Sequence, residues 1–185
     1  MLNSAEKKTL LKIAREAIEA KASGKLRLLN PAIESEALKQ NSGAFVSLHK
    51  NGRLRGCIGV FASKAPLWKT VQENAVAAAF RDPRFDPVEK TELPQIDIEI
   101  SVLTPLREII DTNEIEVGRH GIFIKQGRCA GVLLPQVAVE HDFDRNTFLA
   151  ETCLKADLPE DAWQNGASIY IFEAEIFGEK EGAYA

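Results

Sequence analysis

Residues 44–61 have the sequence AFVSLHKNGRLRGCIGVF, and this stretch decides the fold more than any other part of the chain. Both of its halves show the two-residue alternation of β-strands, and Asn51-Gly52 lies between them. An Asn-Gly pair supplies the positive φ angles that a two-residue hairpin turn requires. The stretch therefore predicts an antiparallel hairpin with strands over 44–50 and 53–61.

Other periodic segments surround this hairpin. Apolar residues at helical spacing predict helices over 4–23, 66–81 and 145–153, with Ser4 and Asp144 as N-caps, and a shorter helical stretch between 30 and 43. Alternation predicts strands over 96–102 and 168–177 and a second hairpin over 122–134, turning near Gln126-Gly127. Hairpins separated by helices are typical of an α+β fold with a mostly antiparallel sheet flanked by helices.

Composition narrows the class of protein. A chain of 185 residues with 45% hydrophobic and 27% charged residues suits one globular domain, or one domain with two lobes. A net charge of −4 and the lack of a basic run disfavour nucleic-acid binding. No apolar run approaches the ~20 residues that span a bilayer, so we expect a cytoplasmic protein without membrane association.

The three cysteines, Cys57, Cys129 and Cys153, favour the same compartment. Their number is odd and their spacing is wide, which indicates reduced thiols rather than disulfides or a paired CxxC zinc site. We expect Cys129 and Cys153 to be buried and unreactive. The histidines have no metal-ligand spacing, so no metal site is predicted.

Glycines make the return strand of the first hairpin unusual. Gly56 and Gly59 flank Cys57-Ile58, and glycine within a strand allows another backbone or a ligand to approach closely. In a regular strand Arg55 and Cys57 share a face, where a guanidinium would favour the reactive thiolate. The alternative is that Cys57 is an inert core residue and Gly56 marks a bulge.

The segment Arg81-Asp82-Pro83-Arg84-Phe85 is a second candidate site. Arginine side chains suit the recognition of carboxylates or phosphates. The alternative is a helix end at which the arginines complement the helix dipole and pair with Asp82.

His120 is a third candidate. It directly precedes a predicted strand, and it could act as a general base for Cys57 or remain a surface hydrogen-bonding residue. The sequence contains no GxGxxG, Walker A, GxSxG or HExxH motif, so we expect no nucleotide or other cofactor.

Four segments together resemble one family. They are GAFVSLHKNGRLRGCIG at 43–59, AAAFRDPRF at 77–85, HGIFI at 120–124 and LLPQVAVEHDFDRNTFLAETCLKADL at 133–158. In order and spacing they resemble the AMMECR1 family, most closely its bacterial and archaeal branch, AmmeMemoRadiSam system protein A. The sequence departs from this family at Asp157, where members often have glycine.

The resemblance implies an α+β domain over 1–185, with two unequal lobes and a groove between them. It places at that groove the motif residues Arg55, Gly56, Cys57, Ile58, Gly59, Asp82, Arg84 and Phe85, with His120 and Gln136 as further members. It also implies two companions, a Memo-like protein and a radical SAM enzyme, and assigns no activity.

Two hypotheses follow from the residues and the resemblance. In the first, the groove binds a small molecule or a modified peptide, and Cys57 acts on it as a nucleophile while Arg55 or Arg84 holds an anionic group. In the second, the groove receives a segment of a partner protein and no chemistry occurs.

Overall fold

The computed structural model describes residues 1–24 and 30–180, which form two compact units. The first unit comprises the described residues of 1–103 together with 175–180, and the second comprises Thr104–Ala174. The first contains α1 (Ser4–Ala22), α2 (Glu36–Lys39), β1 (Ala44–Lys50), β2 (Arg53–Val60), α3 (Leu67–Phe80) and β3 (Ile96–Leu103). The second contains β4 (Arg107–Ile109), β5 (His120–Gln126), β6 (Cys129–Leu133), α4 (Pro135–Glu140), α5 (Arg145–Lys155) and most of β7 (Ser168–Gly178).

Helix α1 begins at Ser4, the residue predicted to be its cap, and the N-cap is Asn3. The side chain of Asn3, rather than that of Ser4, accepts hydrogen bonds from the backbone N–H groups of Ala5 and Glu6, and the Glu6 carboxylate accepts from the Asn3 N–H. This reciprocal arrangement satisfies amide groups that the first helical turn leaves without partners. Only four residues of the stretch predicted between 30 and 43 are α-helical, those of α2.

The predicted hairpin is confirmed. Strands β1 and β2 pair antiparallel, and the turn residues Asn51 and Gly52 have φ angles of 54° and 75°. Strand β3 pairs antiparallel with the other edge of β1. Ala44, Val46 and Leu48 are fully buried against the side chains of α1 and α3, so the helices cover one face of these strands.

The second unit is also antiparallel. Strand β5 pairs with β6 and β7, and β4 pairs with the other edge of β7. Its core contains Ile122, Ile124, Ile169 and Ile171 from the strands and Phe148, Leu149 and Cys153 from α5. The carboxylate of Asp144 accepts from the Thr147 N–H and caps α5, as predicted. The α+β prediction with a mostly antiparallel sheet is thus confirmed.

The short elements β4 and α4 of the second unit were not predicted. The three residues of β4 are too few to show a period. Helix α4 carries a local signal that the sequence analysis did not use, because Pro135 occupies its first turn and proline is favoured there.

The departure at Asp157 has a clear conformational basis. The residue follows α5 with a φ angle of 56°, in the left-handed region that glycine adopts without strain. Aspartate tolerates this conformation better than most residues do. The helix end therefore keeps a glycine-like backbone without glycine.

Candidate functional site

Cys57 lies on the face of the hairpin opposite α1 and α3. The register aligns it with Ser47 on β1, and aligns Ser47 with Glu99 on β3. Val46 and Leu48 point to the helices, and side chains alternate between the two faces of a strand. Ser47 and its two neighbours across the strands are half-buried and therefore lie on the face away from the helices. Cys57, Ser47 and Glu99 therefore form a row of three neighbouring side chains across three strands, which we call the thiol row.

The middle residue of the thiol row connects the other two. The Ser47 hydroxyl donates to Cys57 Sγ over 3.2 Å. Directly opposed residues of an antiparallel pair have Cβ atoms about 5 Å apart, which places Glu99 within reach of the same hydroxyl. The Glu99 side chain makes no ion pair or hydrogen bond with the described residues, and its burial raises the pKa of its carboxyl group.

Glycines shape both faces of β2. A Cβ atom on Gly56 would lie 2.2 Å from the backbone oxygen of Ala78, so only glycine lets α3 approach this closely. On the other face, a Cβ atom on Gly59 would lie 2.2 Å from the ring of Phe45. The predicted close approach of another backbone is confirmed at Gly56, whereas the group nearest to Gly59 is an aromatic side chain beside the thiol row.

Arg55 does not extend the alternation that leads to Cys57. Leu48 is opposite Gly56 and His49 is opposite Leu54, which leaves Arg55 as the extra residue of a bulge. The expectation of a regular strand is therefore wrong at this position, and the bulge is at Arg55 rather than at Gly56.

The bulge directs the Arg55 guanidinium to a carboxylate. Its Nε and Nη2 donate to the two oxygens of Glu92 over 3.2 and 3.0 Å, and Lys50 binds Glu92 at 2.9 Å. The Arg55 guanidinium is the main cause that lowers the pKa of Glu92 to about 2. The positive charge of Arg55 is thus neutralised by the Glu92 carboxylate within the first unit.

Asp82 and Arg84 cover the outer edge of β2 beside Cys57. The Asp82 carboxylate accepts from the Cys57 N–H over 2.8 Å, and Arg84 Nη2 donates to the Cys57 carbonyl over 3.2 Å. The same guanidinium donates to both oxygens of Asp82, at 3.0 and 2.7 Å. We call these two residues the edge clamp, since they occupy backbone groups that an outer strand otherwise leaves unpaired.

Burial differs between the two residues of the edge clamp. The Asp82 side chain is 1% exposed and that of Arg84 is 55% exposed. Hydrogen bonds from Arg84 hold the pKa of Asp82 well below its usual range, although burial acts in the opposite direction. The Arg84 guanidinium also lies 5.5 Å from the centre of the half-buried Phe85 ring. This geometry favours the interpretation of the segment as a helix end with an internal ion pair.

His120 and Gln136 belong to the second unit. His120 is buried at the start of β5, and Gln136 is on α4 with a buried side-chain oxygen that has no hydrogen-bond partner among residues 1–24 and 30–180. Cys57 and Ile58 belong to the first unit. A general-base role of His120 toward Cys57, and the groove between lobes, stay predictions.

Of the two cysteines expected to be buried, one is buried. Cys153 is fully buried and Cys57 is half-buried. Cys129 is half-buried instead of buried, because it begins β6 directly after the turn at Gly127. Among the described residues, no group of three His, Cys, Asp or Glu side chains could hold a metal ion. None of the helices described is long and apolar enough to cross a membrane.

Sequence reasoning missed Ser47, Glu99 and Glu92. Alternation predicted the strand over 96–102 that contains Glu99. The register that brings Glu99 beside Ser47 joins strands about fifty residues apart, and no local signal gives it. Glu92 belongs to a 3₁₀ helix, Lys90–Gln95, in a stretch without helical or strand periodicity.

The fold and the site together define an α+β protein. One of its strands contains a cysteine between two glycines, and this cysteine lies beside a serine and a carboxylate. The chain belongs to the AMMECR1 family, whose sequence model matches residues 11–177.

Known relatives support this membership. A protein of Methanosarcina acetivorans is 42% identical over 192 residues, an alignment that covers 98% of this chain and 95% of the relative. Protein NEQ441 of Nanoarchaeum equitans is 42% identical over 178 residues, covering 92% of this chain and 98% of the relative. The crystal structure of the uncharacterized protein PH0010 from Pyrococcus horikoshii matches with a TM-score of 0.83 at 38% identity, covering 92% of this chain and 90% of that one.

Proposed function

We propose that the first unit carries a thiol-dependent reaction site, in which Cys57 attacks an electrophilic centre of a small molecule or a modified peptide. The observation that carries this proposal is the thiol row, in which Ser47 lies between the Cys57 thiol and the Glu99 carboxylate. A nucleophile requires a base within reach, directly or through a hydroxyl group. We further propose a reducing, cytoplasmic environment, which a free nucleophilic thiol needs.

Glu99 is the base in this proposal. A carboxylate with a raised pKa holds a proton better at neutral pH than an ordinary one, which makes it the stronger base. For this step the Ser47 hydroxyl rotates from Cys57 Sγ so that it donates to Glu99, and the Cys57 thiol donates to the Ser47 oxygen. The Cys57 proton passes to the Ser47 oxygen as the Ser47 proton passes to Glu99. The thiolate electron pair then forms the bond to the electrophilic centre, while a π bond or the bond to a leaving group at that centre breaks and its electron pair moves to the departing or carbonyl-type atom. Ser47 is unchanged at the end of this step.

The charges around the thiol row favour a neutral or cationic substrate. Both motif arginines are already bound by carboxylates, Arg55 by Glu92 and Arg84 by Asp82. Glu99 has no such partner among the described residues. An anion held by Arg55 or Arg84 would have to displace a buried or half-buried carboxylate, which is costly.

Labelling of the native protein tests this proposal. We expect the preference of Cys57 for a cationic over an anionic methanethiosulfonate reagent to be about tenfold greater than that of Cys129, because the Glu99 carboxylate attracts the cation. Peptide mapping by mass spectrometry measures the rate at each cysteine. The substitution Glu99→Gln should remove the preference for the cation and slow iodoacetamide labelling, whereas Glu151→Gln, a change of an exposed carboxylate on α5, should do neither.

One outcome contradicts the chemical role. If Cys57 reacts with iodoacetamide no faster than the half-buried Cys129, it is not an activated nucleophile. The second hypothesis, docking of a partner segment without chemistry, then gains support.

One observation favours that second hypothesis in its own right. Leu54 and Val60, on the outer strand β2, are 43% and 40% exposed. Exposed apolar side chains on an outer strand suit docking of another chain. By family resemblance the proposed partners are a Memo-like protein or a radical SAM enzyme, and pull-down with Leu54→Ser as the comparison variant measures their binding.

A further inference from the structure

The second unit contains a cleft of about 490 Å³ that the proposed function does not use. Residues from three segments of the chain line the cleft. They include the polar residues Arg107, Glu114, Arg119, His120 and Glu173 and the buried aliphatic residue Ile171. Along the sheet face that packs on α5, Ile122 is opposite Ile171. At the next pair of this face, His120 is opposite Glu173, so the aliphatic row becomes polar where it reaches the cleft.

The imidazole of His120 has a fixed orientation. Its side chain is 8% exposed, and its Nδ1 accepts a hydrogen bond from the Glu116 N–H over 3.0 Å. In the neutral ring Nδ1 therefore carries no proton and Nε2 carries it. Nε2 is 4.0 Å from the Glu173 carboxylate, beyond hydrogen-bond distance. A buried histidine thus directs to the cleft an N–H donor that has no hydrogen-bond partner in the part of the chain that the structure describes.

Charges of both signs surround this donor. Arg107 binds Glu114 at 2.6 Å, and Arg119 binds Glu116 at 3.1 Å and Glu173 at 3.0 Å. All five side chains are between 41% and 60% exposed, so these pairs contribute little to stability and can exchange partners. Three carboxylates against two guanidinium groups disfavour a simple anion as the ligand.

We propose that this cleft binds a small zwitterion, an α-amino acid with an apolar side chain. The ligand carboxylate binds the Arg107 guanidinium and the His120 Nε2–H, and the ligand ammonium binds the carboxylates of Glu114 and Glu173. Each internal ion pair that opens is replaced by a pair with the ligand, so no charge in the cleft is left unpaired. Pro105 and Ile171 supply the apolar wall for the ligand side chain.

A titration followed by NMR tests the proposal. The ring Cε1–Hε1 signal of His120, assigned with His120→Gln, is recorded while L-leucine is added. Two analogues complete the set: 4-methylpentanoate lacks the ammonium group and 3-methylbutylamine lacks the carboxylate. We expect a saturable shift with leucine and at least tenfold weaker binding of both analogues.

A matched pair of arginine variants separates the cleft from general surface charge. Arg107→Gln, at an exposed side chain whose loss leaves folding intact, should weaken leucine binding at least fivefold. Arg128→Gln, at an exposed turn, should leave it unchanged. Two results overturn the proposal: no saturable shift of the His120 signal at tens of millimolar leucine, or equal binding of leucine and one analogue. Neither outcome depends on Cys57, so this site and the thiol row stand or fall separately.

Discussion

Arg84→Ala tests whether the edge clamp is structural. The substitution removes three side-chain hydrogen bonds: two to the Asp82 carboxylate and one to the Cys57 carbonyl. The Asp82 carboxylate keeps the backbone N–H groups of Cys57 and Arg84 as donors, at 2.8 and 3.1 Å. It stays 99% buried next to β2 unless the structure rearranges, since its side chain is 1% exposed.

The expected cost follows from this burial and from the exposure of Arg84. Breaking a buried ion pair from one side costs about 3–5 kcal/mol, because a charge is left without its partner. The Arg84 side chain is 55% exposed, so water can reach the space that it vacates, and screening reduces the cost. We therefore expect the free energy of unfolding to fall by about 2–3 kcal/mol. For a chain of this size the melting temperature falls by roughly 2–4 °C per kcal/mol, hence by roughly 4–12 °C.

Chemical denaturation at neutral pH measures this change, with Arg81→Ala as the control. Arg81 is a neighbouring exposed arginine at the end of α3, and its removal should change the free energy of unfolding by about 0.5 kcal/mol or less. The double variant Asp82→Asn, Arg84→Ala should be more stable than Arg84→Ala alone, because no charge is then stranded. If Arg84→Ala is no less stable than Arg81→Ala, the clamp contributes nothing and Arg84 is free to bind a ligand.

The same pair makes stability depend on pH. Arg84 holds the pKa of Asp82 below its ordinary value in the folded protein. The stability that this provides is complete above about pH 4 and is lost as the pH falls toward the folded-state pKa. We expect the difference between wild type and Arg84→Ala to shrink below pH 4. A difference that stays constant from pH 7 to pH 3 would refute the electrostatic explanation.

Two further predictions concern β2 and its surroundings. Gly56→Ala should lower the free energy of unfolding by about 2–3 kcal/mol, because the new Cβ would lie 2.2 Å from the Ala78 oxygen. Gly52→Ala is the control: its Cβ would meet open space, so the positive φ alone should lower the free energy of unfolding by only about 1 kcal/mol. Glu92→Gln should lower the free energy of unfolding by about 1–3 kcal/mol at pH 7, because Arg55 loses its carboxylate partner. This loss of stability should shrink as the pH falls from about 4.5 to 2, because Glu92 of the wild type becomes protonated as the pH approaches its lowered pKa. Urea denaturation at several pH values measures both, and a cost of Glu92→Gln that does not change with pH would rule out the ion pair as its cause.

The sequence by itself determined most of the elements and the motif that identifies the family. The hairpin turn at Asn51-Gly52, the cap at Asp144 and the alternation of β3 are local, because turn conformation, capping and side-chain period depend on residues a few positions apart. Sequence also marked Gly56 and Gly59 as places of close approach. It could not state that the approaching groups are the α3 backbone and the Phe45 ring.

Only the tertiary structure decided what the motif residues do. The bulge at Arg55, the position of Glu99 beside Ser47 and the closure of the β2 edge by Asp82 join residues 5 to 52 positions apart in the chain. Strand register and ion pairing of this kind depend on how buried faces pack, and a shift of one residue would move Glu99 to the helix side. The physical reason is that a side chain's neighbours across a sheet are set by the whole core, whereas its period along the strand is set by the backbone alone.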